Sequence, residues 1–176
     1  EVVRAAMLER HYSPAFQYVD ESLRKDRAFV LSLIKENAPI FGQLDDFLKK
    51  DQEIVFVALD VCGVALEYGD EALKKNRLAV LRAVISDGRA LEFVDESLKK
   101  DRMVVLQAIT SDSYALKFAD DGLKKDREIV LKAVRVDGTS LQYADATLRE
   151  DKSFVLEALK ISSSAFEYVD QSLRQD

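Results

Sequence analysis

Basic residues recur at fixed intervals along this chain: Lys49-Lys50, Lys74-Lys75 with Arg77, Lys99-Lys100 with Arg102, and Lys124-Lys125 with Arg127. Evenly spaced ammonium and guanidinium groups can form an edge for a polyanion, each rung neutralising a phosphate or carboxylate. The same residues can instead complement the negative ends of the turns that carry them and pair with nearby Asp. The second use is the commoner one, and the formal net charge of −6 disfavours nucleic acid and anionic membranes as partners.

Other reactive side chains are few. His11 is the sole histidine and Cys62 the sole cysteine, so no intrachain disulfide is possible and no base is spaced to activate the thiol. Acid pairs recur at Asp45-Asp46, Asp70-Glu71, Asp95-Glu96 and Asp120-Asp121, but a calcium site needs six or more oxygens around a turn. No glycine-rich phosphate loop, zinc spacing or Ser/His/Asp set is present. The expectation is a chain without catalytic residues, metal ligands or cofactor.

What positions these groups is a repeat with a period of 25 residues and no gaps. Asp26, Asp51, Asp101, Asp126 and Asp151 share one column, with Asn76 completing it; Leu23, Leu48, Leu73, Leu98, Leu123, Leu148 and Leu173 share another. A fixed period of this length signals an array in which each unit buries its apolar face against its neighbours. The units are 1–25, 26–50, 51–75, 76–100, 101–125, 126–150 and 151–175. Val80, Leu81, Ala83 and Val84 against Arg77 and Arg82 show helical spacing with a stripe wide enough for a helix between two neighbours. The column Asp is placed to cap that helix, a role worth about 1 kcal/mol. Gly63, Gly88 and Gly138 fall just past it, where a left-handed cap is expected.

In the second half of each unit Ala90, Leu91, Val94 and Leu98 lie on one helical face, interrupted by Asp20, Asp45, Asp70, Asp95, Asp120, Asp145 and Asp170. An Asp is an asset at a helix start and a penalty inside one, so a short helix, a break at this Asp and one further turn are predicted. The aromatic column Tyr68, Phe93, Phe118, Tyr143 and Tyr168 is expected to pack between units, and Leu106 and Leu131 to be inter-unit core. The fold class that follows is all-α: an α-solenoid of seven 25-residue helical repeat units, forming a single array over 1–176 and monomeric.

Unit 26–50 departs most, with Pro39, Gly42, Gln43 and Phe47 at positions filled differently elsewhere, which reads as local drift or as a groove or partner contact. Unit 51–75 carries six acids against Lys74 and Lys75, and most of the net charge. The chain opens on Glu in register with the repeat, as a piece of a longer protein would. No apolar run approaches the ~20 residues needed to span a bilayer.

The run 126–149, Asp-Arg-Glu-Ile-Val-Leu-Lys-Ala-Val-Arg-Val-Asp-Gly-Thr-Ser-Leu-Gln-Tyr-Ala-Asp-Ala-Thr-Leu-Arg, resembles the repeats catalogued as domain of unknown function 4116. So do Lys152 to Leu173 and the stretch from Asn76 to Lys125. The resemblance covers essentially the whole chain, most weakly 1–25 and 26–50, and its profile spans about two of these units. It implies tandem arrays in large proteins of single-celled eukaryotes and of intracellular bacteria, some of them secreted effectors. It implies no catalytic residue or ligand. An intracellular, cytoplasmic setting is favoured, or the host cytosol for a secreted effector.

The functional expectation is a protein-interaction scaffold. It recognises a partner, or another domain of the same chain, through positions that differ between units, such as Arg82, Gln107, Lys132 and Glu157, or Arg89, Tyr114, Thr139 and Ser164. The alternatives are a polyanion- or phosphoinositide-binding module using the basic rungs, and an accessory domain of an enzyme lying outside these residues.

Overall fold

The computed structural model describes residues 14–36 and 38–174, and these are helical, with no strand among them. His11, Glu1 and Asp176 lie outside the described residues, as does the side chain of Pro39.

Ten-residue α-helices recur every 25 residues: α1 (Arg27–Glu36), α2 (Gln52–Val61), α3 (Arg77–Ser86), α4 (Arg102–Ser111), α5 (Arg127–Val136) and α6 (Lys152–Ile161). The predicted caps are in place. The Asp51 carboxylate accepts from the Glu53 and Ile54 N–H groups at 3.0 and 3.1 Å, and the Asn76, Asp101 and Asp151 side chains do the same for their helices. These bonds satisfy donors that a helix start leaves without partners.

Each of α2 to α6 ends on one extended residue: Cys62, Asp87, Asp112, Asp137 or Ser162, with φ between −151 and −147°. The N–H of Asp87 closes the α-helix on the Ala83 carbonyl at 2.9 Å, while its own carbonyl accepts from Ala90 at 2.9 Å and starts the next element. That element is a six-residue 3-10 helix, as at Gly63–Tyr68, Gly88–Phe93, Ser113–Phe118 and Gly138–Tyr143. Six residues is long for a 3-10 segment. Three residues per turn bring Gly88, Leu91 and Val94 onto one stripe, and all three are buried. The short helix predicted here is therefore 3-10 rather than α. The break at the second Asp column follows, with a four-residue α-turn beyond it at Asp121–Lys124 and Ala146–Arg149.

The glycines correct an expectation. No glycine has a positive φ, so none serves as a left-handed cap. A Cβ on Gly88 would stand 2.3 Å from the Ala108 carbonyl oxygen of the next long helix, and one on Gly63 2.0 Å from that of Ala83. These positions are glycine because neighbouring backbones meet there.

Long helices pack on the long helices before and after them, and 3-10 segments on 3-10 segments. The core runs along the array as Val30, Val55, Val80, Val105, Val130 and Val155, with Ala58, Ala83, Ala108, Ala133 and Ala158 beside them, all buried. Leu106 and Leu131, expected in that core, are only half-buried against it, as is Leu81. The aromatic column is also less enclosed than expected: Tyr68 is exposed, and Phe93, Phe118, Tyr143 and Tyr168 are half-buried.

Candidate binding surface

The basic rungs are predominantly occupied by acids of the same chain. Lys74, Lys99 and Lys124 reach back one turn to Glu71, Glu96 and Asp121, at 3.7, 2.8 and 3.2 Å. Lys75, Lys100 and Lys125 each face the second-column Asp of the following unit: Asp95, Asp120 and Asp145, at 3.7, 3.9 and 3.9 Å. Arg77 bonds the Asp101 carboxylate at 2.8 Å and Arg127 that of Asp151 at 3.0 Å; Arg102 bridges Asp126 and Glu128 in the same manner. Arg27, which follows no Lys-Lys rung, binds Asp51 at 2.7 Å and Glu53.

Backbone links reinforce these pairs. The N–H of Asp95 donates to the Lys74 carbonyl at 3.2 Å, that of Asp120 to Lys99 at 3.2 Å and that of Asp145 to Lys124 at 3.0 Å. The three contacts recur together along one edge: a backbone hydrogen bond, a Lys–Asp pair and an Arg–Asp pair. Lys49 and Lys50 differ from the other rungs, since neither has an ion-pair partner among the described residues.

Arg77, at the front of the pair, holds the Asp101 carboxyl below its ordinary range, and Arg27 does the same to Asp51. A carboxyl depressed in the folded state contributes stability above its unfolded pKa of about 3.9, and that contribution disappears as pH falls through the folded value. The thermal midpoint is therefore expected to be flat from pH 5 to 8 and to fall below about pH 4. An Arg77→Gln array should show a shallower acid limb, because the Asp101 carboxyl is no longer held down in the folded state. Thermal melts across that pH range check both.

Cys62 is half-buried, and desolvation pushes its thiol up, away from the thiolate a nucleophile requires. Among the described residues no group of three His, Cys, Asp or Glu side chains is placed to hold a metal ion. No helix among them is long and apolar enough to cross a membrane.

Several exposed positions do differ from unit to unit. Asp60, Ile85, Thr110, Arg135 and Lys160 occupy one column near the ends of α2 to α6, and all five are exposed. Around Tyr114 an edge-on cluster forms with Phe118 and Tyr143, both at 5.4 Å between ring centres, and Lys117 donates to the Tyr114 hydroxyl at 2.7 Å. Arg82 lies 4.6 Å above the Phe56 ring and pairs with Asp60 at 2.6 Å.

A family model described as Domain of unknown function (DUF4116) matches the chain three times in tandem, over residues 26–74, 76–124 and 126–174. Among curated proteins and solved structures, nothing matches the chain.

Proposed function

The chain belongs to the DUF4116 family, and on that premise we propose that it is a non-catalytic protein-interaction scaffold, a solenoid of seven 25-residue units that offers one long face to a protein partner. The observation that supports this reading most is the division of labour between columns. Shared columns are spent on capping and on joining one unit to the next. The exposed column Asp60, Ile85, Thr110, Arg135 and Lys160 varies from acid to aliphatic to hydroxyl to base. Helix spacings of about 8–10 Å spread these five side chains over roughly 32–40 Å, room for a partner read at several points. Lys132 and Glu157 are exposed on the same helices. Function argued from architecture rests on such surfaces rather than on the fold alone.

The test is affinity capture from cell lysate with mass spectrometry, followed by binding of the purified partner. The native array is run beside one with the five column residues changed to Ala, and beside one with Lys74, Lys75, Lys99, Lys100, Lys124 and Lys125 changed to Gln. The column variant is expected to lose the partner at least tenfold with its thermal midpoint unchanged, while the Gln variant retains it. Retention by the column variant and loss by the Gln variant would replace the scaffold reading with polyanion binding.

A further inference from the structure

Among the described residues, the edge that joins successive units loses all three of its links together at one joint. Where residues 49–52 meet residues 70–76, all three recurring links are missing. The Asp70 N–H makes no bond to the Lys49 carbonyl, and Lys50 makes no ion pair with Asp70. The Arg–Asp pair is replaced on both sides at once, by Gln52 and Asn76. Asp70 spends its carboxylate on the Leu73 N–H at 2.8 Å, and Asn76 caps α3. Gly69 stands where Val94, Ala119, Ala144 and Val169 stand in later units, so a buried apolar side chain is absent as well.

A cavity of about 260 Å³ occupies this gap, with Val55, Phe56 and Leu73 in its lining and Lys49, Lys50 and Asp70 at its polar parts. A second depression, of about 320 Å³, adjoins it through Lys49, Lys50 and Asp70 and continues past Asp46, Tyr68 and Gly69. Elsewhere the lysines of the rungs are neutralised by their own chain. Here two ammonium groups stand unpaired beside an apolar pocket.

We propose that this groove binds a short extended peptide segment of a partner protein, with an acidic residue bridging Lys49 and Lys50 and an adjacent aliphatic side chain over Val55, Phe56 and Leu73. The inference rests on the scaffold reading and names the chemistry of one contact within it. The unpaired Lys49 and Lys50 select the acid, and the apolar lining of Val55, Phe56 and Leu73 selects an aliphatic neighbour. Asp70 across the groove rejects a dense polyanion, so one or two acids are recognised rather than a run of phosphates.

Fluorescence anisotropy in 150 mM salt tests this with a labelled nonapeptide centred on Asp-Leu-Glu. Its Asn-Leu-Gln and Asp-Ser-Glu counterparts are expected to bind at least tenfold more weakly. A Lys49→Gln/Lys50→Gln array is expected to lose at least tenfold, while Lys124→Gln/Lys125→Gln, whose lysines are paired, stays within twofold. Thermal melts of both variants establish that they fold. Equal losses in the two variants, indifference to the Leu, or no saturable binding would overturn the proposal. Stronger binding to phosphoinositide vesicles or a single-stranded oligonucleotide than to the peptide would overturn it too. If the peptide fails while the five-column variant still loses its captured partner, the groove falls and the scaffold stands. If the column variant keeps its partner, the scaffold reading falls whatever the peptide does.

Discussion

Gly88→Ala is expected to destabilise the array by about 3 kcal/mol or more, the upper end of what an added methyl costs in a packed interior. The Cβ would stand 2.3 Å from the Ala108 carbonyl oxygen and 2.8 Å from the Asp112 amide nitrogen. Both are backbone atoms of the next unit, so relief requires one unit to move away from another. Gly63→Ala, which meets the Ala83 carbonyl at 2.0 Å, should behave alike. Chemical denaturation measures the loss, and it separates two roles for glycine. A left-handed glycine would tolerate Asn; one kept small by a neighbouring backbone tolerates Asn no better than Ala. A loss under about 0.5 kcal/mol in both variants would mean that the units are loosely joined. Ser113 sits at the equivalent place and is buried.

Leu91→Ala should cost about 2–5 kcal/mol, because the side chain is fully buried between consecutive 3-10 segments. Phe166 occupies the same column in the last described unit, yet 51% of it is exposed. Truncating this larger side chain to Ala should cost under about 1.5 kcal/mol. Leu106→Ala is expected between the two, since Leu106 is half-buried. Denaturation midpoints of the three variants test the ordering. An equal loss at Leu91 and Phe166 would show that the column is not an interface between units.

Much of this is legible in the sequence. The Asp and Asn column announced its caps, because an acid recurring just ahead of an apolar stripe has few other uses. The second Asp column likewise marked the break between the 3-10 segment and the turn beyond it. The 3-10 geometry itself was hidden: over six residues, periods of 3.0 and 3.6 diverge too little to separate. The role of Gly63 and Gly88 was misread because a left-handed cap and a close approach both call for glycine. The unbroken run Ala58, Ala83, Ala108, Ala133 and Ala158 was the available clue, since small residues facing glycine mark backbones brought together. In the sequence Lys49 and Lys50 differ from the other rungs only in lacking a following Arg, with Gln52 in its place. Their difference depends on knowing that residues 24 apart are partners, so that Gln52 and Asn76 are one change and not two.

One extended residue, not a loop, joins each of the later long helices to the 3-10 segment that follows, and its backbone angles scarcely vary from Cys62 to Ser162. Such a joint has no slack to take up an inserted residue, since an insertion would swing everything downstream out of register with the unit beside it. The chain can change length only by whole periods. On the scaffold reading proposed above, it is a ruler whose graduations are units, and a partner laid along it would be measured in steps of one helix spacing.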